Sequence, residues 1–128
     1  MSLLSKNFTR KEFRCRGNSC CGNSAPISLE LVKALQELRD LIDKPLKIRS
    51  GFRCNVHNRR DVGSKDSSQH TLGLAADVEL PKGWSVDDFV LAAEMIDVFR
   101  EGGIGRYPEK GFVHLDIRTT GPARWEGE

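Results

Sequence analysis

Ser68-Gln69-His70-Thr71-Leu72-Gly73-Leu74-Ala75-Ala76-Asp77-Val78-Glu79-Leu80 is the stretch on which the fold turns. Polar residues lead through a glycine into a run that reads as a strand over Leu74 to Leu80. Alternation puts Ala75, Asp77 and Glu79 on one face and Ala76, Val78 and Leu80 on the other. Pro81 and Gly83 end it. A second strand over Phe112 to Arg118 repeats the pattern. There Val113, Leu115 and Ile117 point one way, and Phe112, His114, Asp116 and Arg118 the other. Each strand thus has one apolar face and one face that carries histidine or carboxylate.

Helical patterns surround these strands. Thr9 and Glu12 have capping-box spacing, with Phe8 and Phe13 as a hydrophobic staple, so a short helix is expected there. A second helix starts near Ser28 and buries Leu31, Leu35, Leu38 and Ile42 before Pro45 stops it. Leu46 to Arg49 reads as a short strand. The polar stretch Asn55 to Gln69 reads as loop with one helical turn. A third helix is capped by Ser85 and Asp88, is stapled by Trp84 and Phe89, and runs to about Glu101. Gly102-Gly103 ends it, and Ile104 to Tyr107 reads as another strand. The expected fold class is α+β, a small antiparallel β-sheet with helices packed on it.

The chain has 128 residues, which suits one domain over 1–128. Its 20 basic and 18 acidic side chains leave a net charge of +2, too little to argue for nucleic acid or an anionic membrane as partner. No apolar run is long enough to span a bilayer. The N-terminus lacks the apolar core of a secretory signal, so the expected location is cytoplasmic. The cysteines are Cys15, Cys20, Cys21 and Cys54. Three states remain open for them: reduced packing thiols, a disulfide from Cys20 or Cys21 to Cys54, or a small structural metal site.

His70, Asp77 and His114 stand out as candidate ligands. The loop-to-strand passage carries His70 and Asp77 toward one place, and His114 lies on the polar face of a strand. Two imidazoles and one carboxylate suit a catalytic zinc with an open fourth position for water. Taken singly, each residue is better explained as loop histidine, turn acid or satisfied core histidine.

The string Ser68-x-His70-x-x-Gly73-x-Ala75-x-Asp77, followed by His114-x-Asp116, resembles the zinc D-Ala-D-Ala carboxypeptidases and related peptidoglycan peptidases. That group shares its fold with the hedgehog signalling domain and lysostaphin-type enzymes. Ser50-Gly51-Phe52-Arg53 matches the family's S-G-[YF]-R segment, and further agreement runs from Phe8 to Trp125. The resemblance implies Zn2+ held by His70, Asp77 and His114. It places Arg53 beside the metal to pair with a substrate carboxylate and polarise the scissile carbonyl. Ser68 is expected to bond the ligand loop or the substrate. Many relatives carry an acid three positions before the last histidine, where this chain has Gly111. Asp116 is therefore the expected base or water-orienter, with a ligand-orienting role or a salt bridge to Arg118 as its other readings. Glu109 is the alternative base.

The implied function is hydrolysis of peptide bonds in peptidoglycan stems, as carboxypeptidase or endopeptidase. The expected enzyme is a monomer that reaches the wall after phage-mediated release, as endolysins do. The rival reading is a non-catalytic, metal-bound module that binds wall peptide or sits in a phage particle.

Overall fold

The computed structural model describes residues 3–17, 21, 25–58 and 68–127. Part of the expected Arg14–Ala25 loop, including Cys20, and residues 59–67 of the polar stretch lie outside these. Helix α1 spans Leu29–Ile42, and β1 spans Ile48–Ser50. The single turn α2 is Asn55–His57, and β2 is Ala75–Glu79. Then come α3, Val86–Ala93, and α4, Asp97–Arg100. The chain closes with β3, Gly103–Tyr107, β4, Phe112–Asp116, and β5, Ala123–Glu126. Among the described residues, two 3-10 turns, Arg10–Phe13 and Gln69–Leu72, precede α1 and β2.

The strands form one five-stranded sheet in the order β1-β2-β4-β3-β5. The pairs from β1 to β3 are antiparallel, as expected, but β5 joins β3 in parallel. The sheet is therefore mixed. One face carries Ala76, Val78, Ile104, Val113 and Leu115, all fully buried in the same core as α1 and α3. From α1 that core takes Leu31, Leu35 and Leu38, the stripe its 3.6-residue period foretold. Ser28 caps α1 by accepting from the Leu31 N–H, and Asp43 ends it in the left-handed region at φ 52°. Among the described residues no helix is long and apolar enough to cross a membrane.

The expected third helix is two. Ser85 caps α3 as read, but the chain leaves helical geometry at Ile96 and restarts as α4. The cause is packing. An unbroken helix would carry Arg100 on the face of Phe89, Ala93 and Ile96. The break turns Phe99 into the core instead and leaves Arg100 exposed.

The second departure is a bulge in β1. Ile48 pairs with Val78, yet Ser50 pairs with Asp77. In a regular ladder Ser50 would share Ile48's buried face. One extra residue moves it to the opposite face, where Asp77 lies.

Candidate metal centre

On the polar face of the sheet one cross-strand row runs through all five strands. Ser50 on β1 lies beside Asp77 on β2, then His114 on β4, Gly105 on β3 and Trp125 on β5. The loop histidine His70 joins the row from the 3-10 turn that precedes β2. Ser68 caps this turn, its hydroxyl accepting from the His70 N–H at 3.3 Å. Gly73 ends it at φ 72°, a conformation that favours glycine. A Cβ there would also strike the Pro26 carbonyl.

His70, Asp77 and His114 are all buried. Asp77 Oδ1 stands 3.2 Å from His70 Nε2 and 3.1 Å from His114 Nδ1. The two rings meet edge to face with centroids 5.0 Å apart. Each ring is held from behind. The Gly51 carbonyl can only accept, so His70 Nδ1 donates to it at 2.8 Å. The Asp116 carboxylate accepts from His114 Nε2 at 2.7 Å. In the neutral tautomers so fixed, both inward nitrogens present lone pairs to the same carboxylate oxygen. Three acceptors facing one another call for a cation between them. Tetrahedral zinc with bonds of about 2.0–2.1 Å would set its ligand atoms about 3.3 Å apart, close to the spacings here. The side chains therefore fit a metal ion, and the three offer it one ligand atom each.

The two histidines differ in their electrostatics. Burial works to raise the Asp77 pKa, but its contacts with the His114 and His70 rings prevail and hold the carboxyl well below its usual range. For His70 burial dominates and lowers the pKa, favouring the neutral ring that a ligand must be. For His114 burial is outweighed by the bonds to Asp116 and Asp77, and its pKa rises, so a metal binding at Nδ1 would have to displace a proton that these carboxylates favour.

Arg53 arrives on the loop after β1. Its Nη2 donates to Asp77 Oδ2 at 2.9 Å and its Nε to Ser50 Oγ at 3.1 Å. The β1 bulge is what brings Ser50 within reach. Arg53 thus lies at the centre, as the motif implied, with its charge on the carboxylate oxygen that the histidines leave free.

Asp116 is placed differently from the sequence reading of it as a water-holding base. It is fully buried on the far edge of the His114 ring. Its oxygens also accept from the Gly103 N–H at 2.9 Å and from Arg118, through Nε at 2.9 Å and Nη2 at 2.7 Å. Such a carboxylate, held below its usual pKa by His114 and Arg118 against the cost of burial, has little room for water. Two of the readings left open for it, ligand orientation and a salt bridge to Arg118, are both present in the geometry. Gly111, at φ 75°, sits in the turn before β4, where Glu109 is exposed.

Sequence reasoning passed over three contributors. The Gly51 carbonyl is backbone and leaves no side-chain signature. The second is the pair Gly103 and Gly105, whose spacing of two on one strand face signals close approach. A Cβ on Gly103 would strike the Asp116 carboxylate, and one on Gly105 the Trp125 indole. The third is Trp125, whose ring lies 5.0 Å from that of His114 and donates Nε1–H to Tyr107 Oη at 3.0 Å. Its strand, β5, was not anticipated.

The comparison with known proteins agrees with this geometry. Two curated relatives, the peptidoglycan L,D-endopeptidases MepK of Escherichia coli K12 and of Shigella flexneri, are each 38% identical over 85 residues. That match covers 63% of this chain and 43% of each relative, so the chain spans less than half their length. The peptidase M15 family model matches residues 6–116, a span that holds all three ligand candidates together with Arg53 and Asp116. The chain belongs to the peptidase M15 family, a family of metallopeptidases.

Proposed function

We propose that the chain is a zinc-dependent peptidase that hydrolyses peptide bonds in the stem peptides of bacterial peptidoglycan, with His70, Asp77 and His114 as the zinc ligands. The observation that carries this is the convergence of two imidazole lone pairs on one carboxylate oxygen, each ring locked from behind. Family membership supports peptidase chemistry. The relatives' printed activity supports the wall as substrate and favours an L,D-endopeptidase cut over a carboxypeptidase one.

Bound zinc supplies Lewis acidity and lowers the pKa of water. The residues of the chain do the rest. Gly51 and Asp116 keep the two rings in the tautomers that expose Nε2 of His70 and Nδ1 of His114. Asp116 is a positioning residue in this scheme, and its negative charge makes His114 a stronger donor. Arg53 balances Asp77. Two of its five N–H donors serve Asp77 and Ser50, and the remainder suit a substrate carboxylate or carbonyl. Trp125 lies half-buried with its ring against that of His114.

The test is digestion of purified peptidoglycan followed by mass spectrometry of the muropeptides. Cleavage that stops with a chelator and returns with zinc is expected, and the products name the bond. One observation favours the rival, a binding module: Gly111 offers no acid and Asp116 is engaged behind His114. Zinc bound and wall peptide retained, with no product formed, would establish that rival.

A further inference from the structure

A second group of metal-binding side chains lies apart from the histidine centre. Cys15 follows the first 3-10 turn and is fully buried. Cys54 stands at the start of α2, where its sulfur accepts from the His57 N–H at 3.4 Å. With Cys21 they form a cluster in which all three sulfurs lie within 4.8 Å of one another. The Cys15 and Cys54 sulfurs are 3.8 Å apart. Two thiolates on one tetrahedral zinc, each with a Zn–S bond of about 2.3 Å, stand about 3.8 Å apart. Among the described residues no disulfide joins Cys21 to Cys54.

We propose that Cys15, Cys21 and Cys54 bind a second, structural metal ion of the soft divalent type, zinc above all. Thiolate sulfur selects such ions over magnesium or calcium. Three sulfurs leave a fourth position, and the proposal rests on the three.

The position of the cluster gives the ion a purpose. Cys54 directly follows Arg53, and the segment from Gly51 to Cys54 serves the histidine centre twice. The Gly51 carbonyl orients His70, and the Arg53 guanidinium holds Asp77. That segment leans on the N-terminal turn. The Phe52 N–H donates to the Phe13 carbonyl at 2.9 Å, and a Cβ on Gly51 would strike the Phe13 backbone. A metal bridging Cys15 and Cys21 to Cys54 fastens the two segments with coordinate bonds, beyond the contacts that already join them. Burial raises the Cys15 pKa, although backbone groups of Cys54 and Gly17 oppose this. Binding therefore displaces protons, and affinity falls as the solution is acidified.

The test is metal analysis of the whole purified chain. Two zinc ions per chain are expected, falling to one in Cys54→Ser and to a different one in His114→Ala. Cobalt separates the two. Cobalt-substituted wild type, and His114→Ala, should show the near-ultraviolet sulfur-to-cobalt charge-transfer absorption of a thiolate site, which nitrogen and oxygen ligands do not give. The wild-type spectrum serves even if Cys54→Ser fails to fold. A single zinc that survives Cys54→Ser unchanged would overturn the proposal. So would cobalt bound without the sulfur band, or a disulfide at Cys15 or Cys54 found by alkylation and mass spectrometry. Loss of zinc from the histidine centre alone would count against the proposed peptidase and leave the thiolate site standing.

Discussion

The two faces of the central sheet are built from the same strands by opposite means. On the core face Val78, Val113, Leu115 and Ile104 exclude water completely, and any apolar side chain of similar volume would serve nearly as well. On the other face Asp77, His114 and Asp116 are also buried, yet each has named polar partners at 2.7–3.2 Å. There, identity matters more than volume. Two glycines are required because a carboxylate and an indole occupy the space above them. Alternation along β2 and β4 produces both faces at once. Stability lies mainly with the first and function with the second, and substitutions on the two faces should separate these properties.

The largest contrast is expected from His114→Ala. It removes one lone pair from the cluster, so the histidine-centre metal is lost and turnover falls by about 10³-fold or more. Metal analysis and circular dichroism check this, since the core face is untouched and the fold should persist. Its neighbour Leu115 points the other way. Leu115→Ala should cost about 2–5 kcal/mol in denaturant unfolding, while the folded fraction keeps its metal stoichiometry. A Leu115→Ala protein that folds normally but loses metal would break the comparison.

Gly105→Ala sharpens it further. The added methyl meets the Trp125 ring, and overpacking of this kind costs about 1–3 kcal/mol. Trp125 fluorescence should shift, because the ring must leave its place beside His114. Asp116→Asn should weaken metal affinity by about 10–100-fold, the usual effect of removing a ligand's outer partner. Excess zinc should then restore most of the turnover, because a positioning residue acts through occupancy. Failure of zinc to restore it would return Asp116 to the role of proton acceptor. The smallest effect is expected at the rim, where Lys47 faces Glu79 at 3.7 Å in solvent. Lys47→Ala should change the unfolding free energy by less than about 1 kcal/mol.

Much of this was legible in the chain. The period of two in β2 and β4 assigned every residue of those strands to the face it occupies, because a strand buried on one side writes its orientation into its polarity. The caps at Ser28 and Ser85 and the stripe of α1 were equally plain. The motif spacing and the family resemblance singled out His70, Asp77 and His114 as ligand candidates, and the structure brings these three side chains together. Other features left no local signal. The break at Ile96 follows from the need to bury Phe99, a demand made by the core and not by residues 94–97. The β1 bulge reverses the parity of Ser50, which only pairing with β2 reveals. Strand β5 has a half-exposed Ala-Arg-Trp-Glu sequence with no apolar run, and it exists because β3 offers it an edge.

The sequence by itself determined which side chains could bind metal, and on which strand faces Asp77 and His114 lie, because residue chemistry and alternation are local properties. Only the tertiary structure decided how those side chains are used. Asp116 reads as a base along the strand, while in space its carboxylate accepts from His114, Gly103 and Arg118, partners that reach it along its own strand, across the sheet and from the following loop. The Gly51 carbonyl selects the His70 tautomer, and Cys15 meets Cys54 across 39 residues. Hydrogen-bond direction and sulfur-to-sulfur distance depend on chain closure over long separations, and no spacing along the chain records them.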